Sequence, residues 1–338
     1  MKKYFLASIC FLLLAIVSCN HTTTKDSSKL QGADSVLVQL NENIAKNPAD
    51  AALLVKRADY YLSVERMNDA LKDVNDALKL DPVNKEGNLL LSSIDILDGK
   101  PQQALEILNK VIAHDPDYKQ AYLKKAKLCL IMKDYENCAQ AVQKVFQLDP
   151  HNADAYYLKG VALDENKEAA KALEAFQKAV LYDPRHYDAL MQLGYANSKS
   201  NPKMAIDYFN NALKVIPTSN EALYNVGMLY QENDQPKKAL DIYAQMLKVN
   251  PNNKLALYNS GYVNMVYLSK LKESYDFFTR AITIDSLFTD AYYNRAYCSE
   301  LKGDFKLARE DYNKVLKLRV NDEKAISGLN RLDKHRSK

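Results

Sequence analysis

Apolar positions between residues 51 and 320 recur at the spacing of helices and not at the alternation of strands. Seven of the ten prolines punctuate this pattern at gaps of 34 residues, with one gap of 33. They are Pro48, Pro82, Pro116, Pro150, Pro184, Pro217 and Pro251. Because proline moves its predecessor out of the α region, each is expected to mark a helix end. The pattern therefore predicts a chain of repeated helical segments.

We align the repeats and number each one so that its proline is position 32. Two columns of this alignment then hold only small residues. Position 8 reads Ala58, Ser92, Ala126, Gly160, Gly194, Gly227, Gly261 and Ala296. Position 20 reads Ala70, Ala104, Cys138, Ala172, Ala205, Ala239, Ser274 and Ala308. Position 24 is bulky, and reads Val74, Leu108, Val142, Phe176, Phe209, Tyr243, Phe278 and Tyr312. Small residues allow two helices to pack closely, so the columns predict helix pairs with the bulky side chains filling the space between repeats.

These columns resemble the tetratricopeptide repeat, a helix-turn-helix motif of 34 residues, across eight repeats from about Ala51 to Val320. The resemblance implies an all-α fold, a right-handed superhelical solenoid of about eight such repeats with helical caps. The fifth repeat is one residue short near Asn201, and the seventh is one residue long near Ser269. Both changes are expected in turns, which tolerate them.

The ends of a stack of repeats need polar covers, because no repeat can bury its apolar face alone. A capping helix is predicted over residues 33–48, where Val36, Leu37, Leu40 and Ile44 have helical spacing. The eight repeats follow over residues 49–320. Residues 321–338 are predicted to form a C-terminal capping helix and tail, with Ile326, Leu329 and Leu332 on its apolar side.

Residues 1–18 have the pattern of an export signal, with two lysines, an apolar run too short to span a bilayer, and a small residue at the end. The sequence Ile16-Val17-Ser18-Cys19 resembles the lipobox of bacterial lipoproteins. That resemblance implies cleavage before Cys19 and acylation of this cysteine with fatty acids such as palmitate. The alternative is an ordinary secretory signal with an incidental cysteine.

Residues 19–32 are polar and are predicted to form a flexible tether from the lipidated cysteine. Asn20 is not an aspartate, which by resemblance to enterobacterial sorting favours the outer membrane. The expected location is therefore the cell envelope, on the periplasmic face of the outer membrane.

The resemblance also implies that ligands lie on a concave face lined by the first helix of each repeat. From the fourth repeat onward, this face is rich in Tyr, Met and Asn. The predicted partner-binding residues are Tyr157, Met191, Tyr195, Tyr224, Asn225, Met228, Tyr258, Asn259, Tyr262, Tyr293, Asn294 and Tyr297. Tyr and Met supply adaptable contact area, and the Asn amides can pair with a ligand backbone. The alternative is that Tyr and Asn at these positions are only the repeat consensus.

The charges of the predicted face and of the whole chain limit which classes of partner are expected. Acids such as Glu221 and Asp290 outnumber bases such as Lys127 on the predicted face, which favours a basic or neutral protein segment unless the acids are merely solvated. The net charge is +4, and basic residues cluster only in the tail Lys334 to Lys338, so no nucleic acid is expected. The face also lacks the position-5 base of carboxylate clamps for chaperone termini.

No catalytic constellation is found in the sequence. The five histidines are dispersed, and phosphate loops, nucleophile elbows and zinc-binding motifs are missing. Cys129, Cys138 and Cys298 are expected to be buried as small apolar residues, although a disulfide between Cys129 and Cys138 stays open. We therefore expect no enzyme, no metal site and no cofactor.

The function predicted from the sequence is a membrane-anchored scaffold of the bacterial envelope, which binds segments of other proteins in its groove and on its convex face. The alternative is a surface-exposed lipoprotein for ligand capture or adhesion, which would handle peptide or glycan nutrients.

Overall fold

The computed structural model describes residues 27–336, with side chains from 35 to 335, and every element in this range is an α-helix. The predicted signal peptide 1–18, Cys19 and the predicted tether as far as residue 26 lie outside the described residues. The helices are α1 Ser27–Lys46, α2 Ala51–Ser63, α3 Met67–Leu80, α4 Lys85–Leu97, α5 Pro101–His114, α6 Lys119–Ile131, α7 Tyr135–Leu148, α8 Ala153–Glu165, α9 Ala169–Tyr182, α10 Tyr187–Asn197, α11 Pro202–Val215, α12 Asn220–Glu232, α13 Pro236–Val249, α14 Lys254–Val266, α15 Leu271–Ile284, α16 Thr289–Leu301, α17 Phe305–Leu318 and α18 Glu323–Arg336.

The first helix of most repeats begins three residues after a proline of the series, and the residue just before the helix caps it with its side chain. Asp50 Oδ1 accepts from the Ala52 amide at 2.9 Å, and Asn84 and Asn152 accept from amides of α4 and α8 in the same way. A cap at this position satisfies backbone donors that a helix start leaves unpaired. The proline and the cap that follows it therefore fix where these first helices begin.

The chain divides into two compact units, Met1–Pro184 and Arg185–Lys338. In the first unit, α1 is followed by repeats 1 to 4, each an even-numbered helix and the odd-numbered helix after it. In the second unit, repeats 5 to 8 are followed by α18. Within each unit, each helix packs on the next one in the chain. The first helices of neighbouring repeats also touch: α2 contacts α4, and α14 contacts α16. This order of contacts confirms the predicted all-α solenoid of stacked helix pairs.

The small column at position 8 is required by the bulky column at position 24. A Cβ on Gly160 would lie 2.5 Å from the ring of Phe176, and one on Gly194 would lie 2.4 Å from the ring of Phe209. The ring of the second helix thus lies directly on the backbone of the first. All residues of the small columns in the described helices are buried, which places the core between the two helices of each repeat.

The N-terminal cap starts earlier than predicted. Helix α1 begins at Ser27 and not at residue 33, so residues 27–32 are helical and do not belong to the tether. Lys29, Leu30 and Gln31 are good helix formers, and extending a formed helix is easier than nucleating one. At the other end, α18 covers Glu323–Arg336, within the predicted range 321–338.

The missing residue of the fifth repeat is taken from a helix and not from the turn. Helix α10 has 11 residues, where most first helices have 13, and its turn has four residues. Asn201 is extended at φ −147° and caps α11, which Pro202 begins, so α10 cannot run on through it.

None of the helices described between residues 27 and 336 is both long and apolar enough to cross a bilayer.

Candidate functional site

The predicted partner-binding residues fall into both units. Tyr157 lies on α8 of the first unit, where its ring packs 6.0 Å from the ring of Phe176. The other eleven lie on the first helices α10, α12, α14 and α16 of the second unit. The second unit therefore holds the candidate site, and Tyr157 is a separate position.

These eleven residues differ in how much of each is exposed to solvent. Met191, Asn259 and Asn294 are only 4%, 7% and 6% exposed, so they offer little surface to a partner. Tyr195 is exposed at 39%, and the remaining members are partly buried. The tyrosines, Met228 and Asn225 are thus the members with surface available to a partner.

The asparagines at repeat position 6 connect neighbouring repeats. Asn294 Nδ2 donates to the Tyr258 hydroxyl at 2.9 Å, across the boundary between repeats 8 and 7. Asn259 Nδ2 lies 3.7 Å from Met228 Sδ in repeat 6, and Asn225 Nδ2 lies 3.3 Å from the Tyr195 hydroxyl in repeat 5. Each of these amides donates within the protein, and Asn225 Nδ2 also donates to the Glu221 carbonyl at 2.8 Å, so the asparagines help to order the tyrosine face.

Tyr195 is held by a neighbouring carboxylate. Its hydroxyl donates to Glu221 Oε1 at 2.5 Å, and its ring meets that of Phe209 edge-on at 5.3 Å. Burial of the hydroxyl and its bond to Glu221 raise the pKa of Tyr195, so it remains a neutral donor at physiological pH. Glu221 is therefore engaged, and is not a free acid facing a basic partner.

A cleft of about 190 Å³ opens among α14, α16 and the link between α17 and α18. Its lining combines three tyrosines and one asparagine of the predicted set with residues from the last repeat and the cap. The lining residues are Tyr258, Tyr262, Thr289, Asp290, Tyr293, Asn294, Val315, Arg319, Asp322 and Lys324. It brings Tyr258, Tyr262 and Tyr293 together around one space, which could receive a side chain of a partner.

The charges around the cleft are largely balanced. The Arg319 guanidinium lies 3.3 Å from Asp290 and 3.0 Å from Asp322, while the Lys324 ammonium lies 5.9 Å from the centre of the Tyr293 ring. Burial and the nearby Asp290 carboxylate raise the pKa of Tyr258 to about 12. Its hydroxyl, which accepts from Asn294, therefore keeps its proton and can donate to a ligand.

The C-terminal cap covers Tyr297. The Arg331 guanidinium lies 5.8 Å from the centre of the Tyr297 ring and donates to both carboxylate oxygens of Glu300, at 2.6 and 2.8 Å. Glu300 also accepts from the Tyr312 hydroxyl at 2.6 Å. Tyr297 is thus part of the contact that docks α18, and contributes less to an open surface than predicted.

Five cleft residues are absent from the sequence prediction: Thr289, Val315, Arg319, Asp322 and Lys324. Three of them belong to the link after the last repeat or to α18, where repeat numbering no longer applies. Their position in the chain could have indicated them, because the last repeat of a stack packs against its capping helix and the residues at that junction lie beside the repeat.

Among the described residues, no three His, Cys, Asp or Glu side chains are grouped so that they could hold a metal ion. The thiols of Cys129, Cys138 and Cys298 are unbonded to one another, and all three cysteines are buried as predicted. Burial raises the pKa of Cys138 and Cys298 to about 12, which keeps these thiols protonated and unreactive.

Comparison with known proteins finds models of the tetratricopeptide repeat that match residues 132–184, 168–222, 221–253 and 289–321. The C-terminal part of a TPR repeat-containing protein from Cytophaga hutchinsonii is 20% identical, with a TM-score of 0.59 over 71% of this chain and 98% of that chain. YrrB, described as a TPR protein with an unusual peptide-binding site, is 23% identical, with a TM-score of 0.50 over 57% of this chain and 99% of that chain.

The pilF protein of Pseudomonas aeruginosa is 15% identical, with a TM-score of 0.51 over 63% of this chain and 97% of that chain. At these identities the likeness to solved structures concerns the fold alone. A search of curated protein sequences finds no match.

Proposed function

Since this chain is a tetratricopeptide-repeat protein, we propose that it is a protein-interaction scaffold whose second unit holds a partner segment in the cleft beside Tyr258, Tyr262 and Tyr293. The supporting observation is that three tyrosines from two repeats surround one open space. Proteins built from this repeat are generally non-catalytic scaffolds, and the proposal needs no chemical step.

Tyrosine suits this role because its ring gives a large contact area with few rotatable bonds, and its hydroxyl adds a hydrogen bond. In the cleft the rings are already ordered, since Asn294 holds Tyr258 and the Tyr258 ring lies 5.6 Å from that of Phe278. A partner side chain that enters the cleft therefore orders few protein groups, which favours binding.

A neutral segment fits the cleft better than a strongly basic one. Asp290 and Asp322 are both paired with Arg319, so their charges are offset before any partner arrives. Lys324 adds a cation at the rim. We therefore propose a segment that places one apolar or aromatic side chain between the tyrosines and offers backbone groups to their hydroxyls.

We also propose that the scaffold is anchored to the bacterial envelope through acylated Cys19, on the periplasmic face of the outer membrane. The support is the sequence alone: a short apolar run behind two lysines, followed by Ile16-Val17-Ser18-Cys19. Several acyl chains on one cysteine would hold the protein on a membrane without a spanning helix.

Pull-down from detergent-solubilised membranes tests the cleft. The full-length protein should retain a partner that the double variant Tyr258→Ala, Tyr293→Ala loses. Tyr208→Ala is the matched control, because Tyr208 is a partly buried tyrosine on α11, a second helix of the same unit. Circular dichroism should confirm that all variants fold. Equal partner recovery by the double variant and the control would show that the cleft does not bind the partner.

A further inference from the structure

The turns that join the two helices of repeats 7 and 8 expose apolar side chains beside lysines. In repeat 7, Val266 and Tyr267 are exposed where α14 ends, and two exposed lysines follow them. In repeat 8 seven consecutive residues are exposed: Leu301, Lys302, Gly303, Asp304, Phe305, Lys306 and Leu307. We call residues 266–273 and 301–307 the turn edge of the second unit.

Two contacts connect the turn of repeat 8 to its neighbours. The Lys302 ammonium lies 5.3 Å from the centre of the Tyr275 ring on α15, so this turn lies beside the second helix of repeat 7. On the other side, the Phe305 ring stacks on the imidazole of His335 in α18, with centres 5.3 Å apart and planes 14° from parallel. The turn edge therefore continues from repeat 7 to the C-terminal cap.

The apolar side chains of the turn edge are too exposed to contribute fully to the core. Leu301, Phe305 and Leu307 are 51%, 41% and 42% exposed, although they lie within seven residues of one another. Large apolar side chains grouped at a surface indicate that another surface covers them. The corresponding turn of repeat 6, over residues 232–235, exposes no large apolar side chain, so the group belongs to the last two repeats.

The turn edge carries more positive than negative charge. It contains four lysines, two acids and no arginine. Among the described residues, one of these lysines is in an ion pair, Lys302 with Asp304 at 3.3 Å. The other three, Lys270, Lys272 and Lys306, are exposed and have no carboxylate within ion-pair distance.

The opposite end of the same helices differs in charge. It also exposes apolar side chains, Leu287 and Val320. Its cations, however, are paired: Lys254 lies 2.5 Å from Asp285, and Arg319 lies near two aspartates. Exposed apolar groups and unpaired cations therefore occur together at the turn edge and not at the opposite end.

We propose that the turn edge docks on an anionic lipid bilayer, with its apolar side chains at the level of the headgroups and its lysines against lipid phosphates. Tyrosine is favoured at the boundary between water and hydrocarbon, and Phe and Leu are typical of the buried side of surface-bound segments. Lysines near an anionic leaflet add electrostatic attraction. The contact uses neither the tyrosine cleft nor Cys19, so it can hold or fail independently of both.

A bilayer fits the turn edge better than a protein partner does. Protein interfaces are enriched in arginine and depleted in lysine, whereas the turn edge has four lysines and no arginine. Lysine stems can lie along apolar surface while their ammonium groups reach the headgroups. The seven exposed residues of repeat 8 also form a projecting turn, which can enter a soft headgroup layer.

The first test incorporates an environment-sensitive fluorescent amino acid in place of Leu307 in the full-length protein. Vesicles of phosphatidylglycerol should shift its emission to the blue, and lipids that carry nitroxides should quench it. Vesicles of phosphatidylcholine should have little effect. The matched control replaces Leu287, an exposed leucine between α15 and α16 at the opposite end of the helices, and should not respond.

Three results of this test would overturn the proposal. The first is unchanged emission at position 307 with phosphatidylglycerol. The second is an equal response at position 287, which would show binding without orientation. The third is an equal response to phosphatidylcholine, which would show that anionic lipid is not required.

The second test measures the ratio of embedded to free label at position 307. Lys270→Gln with Lys306→Gln should lower this ratio about twentyfold, because each lysine near an anionic surface contributes a factor of about five. Lys248→Gln with Lys317→Gln is the control, because both are exposed lysines at the far ends of α13 and α17. Circular dichroism should show that both double variants fold. An equal ratio in the two would overturn the role of the turn edge.

A third arm distinguishes a bilayer from a second copy of this chain. The emission at position 307 is followed in lipid-free buffer as the protein concentration is raised. We expect no change, because the turn edge should be covered only by lipid. A blue shift that grows with protein concentration would show that a second copy covers it, and the bilayer proposal would be wrong.

Discussion

The residues at positions 8 and 24 of each repeat vary together. Where a ring stands at position 24, as with Phe176 and Phe209, position 8 of the same repeat is glycine. Where position 24 is valine, as in the first and third repeats, position 8 is alanine. The last repeat departs from this, because the Tyr312 ring meets Gly328 of the cap, 2.5 Å from where its Cβ would be.

Gly194→Ala should therefore destabilise the second unit by about 1–3 kcal/mol, because the new methyl overlaps the Phe209 ring and the core must shift. The shift in the midpoint of urea unfolding measures this loss. In the background of Phe209→Val the same alanine should be tolerated, since valine faces alanine elsewhere in the chain. Equal losses in both backgrounds would show that the ring is not the reason for the glycine.

Lys124 should make stability depend on pH in the alkaline range. Burial lowers its pKa to about 8 in the folded protein against an ordinary value of 10.5, so between these values only the unfolded chain carries the proton. The free energy of unfolding therefore rises with pH in this window, by up to about 3 kcal/mol in total. Buried tyrosines titrate alike in the wild type and in Lys124→Met, so the difference between the two isolates the lysine. A difference that stays flat from pH 8 to 10.5 would contradict this reasoning.

At the scale of helices, the first repeat and the last repeat each contain an ion pair that joins the two helices of that repeat. Arg57 donates to both oxygens of Asp73 at 2.6 and 2.7 Å, and Arg295 does the same to Asp311 at 2.7 and 2.8 Å. Arg57 also donates to Asn41 of α1 at 2.8 Å, so it joins the N-terminal cap to the first repeat.

Arg57→Met should loosen α1, α2 and α3, because Asp73 is only 3% exposed and would be left without its partner. We expect a loss of about 2–3 kcal/mol, seen as faster hydrogen exchange in these helices but not in α9. Lys79→Met, which breaks the exposed pair with Asp76, should change exchange little. Adding Asp73→Leu to Arg57→Met should recover part of the loss, and no recovery would speak against an unpaired acid as its cause.

The helices could be predicted from the sequence because most repeats carry a proline and a capping residue, and all carry the two small columns, within about 34 residues. The start of α1 at Ser27 could not, since helix propagation beyond the last apolar contact leaves no periodic signal. Lys124 was missed for a related reason. A lysine on a first helix looks solvated until the neighbouring repeat, with Leu89 and Ser93, is placed against it.

At the scale of the whole molecule, the two units differ in the polar side chains of their first helices. The second unit has a tyrosine-lined cleft with balanced charges, and the first has two lysines, Lys124 and Lys127, without a described acid partner. The tyrosines of the cleft could be predicted from repeat positions. Arg319, Asp322 and Lys324 could not, because they belong to the junction with the cap, which has no counterpart in the other repeats.

Cys19→Ala should release the protein from membranes. Acyl chains contribute about 0.8 kcal/mol per buried methylene, so the proposed acylation of Cys19 would supply the anchor that this variant lacks. Metabolic labelling with a fatty acid analogue, followed by membrane fractionation, checks this. Ser18→Ala serves as the control, since a small residue before the cysteine is retained. Unlabelled wild-type protein, or a Cys19 variant that stays in the membrane fraction, would contradict the anchor.

The central claim is that a partner segment lies between the tyrosines of the second unit, and photo-crosslinking in cells tests it most directly. A photoreactive phenylalanine analogue placed at Tyr262, in the cleft, should give a crosslinked partner band, whereas the same analogue at Tyr208 on α11 should not. No band at Tyr262, or equal bands at both positions, would contradict the claim.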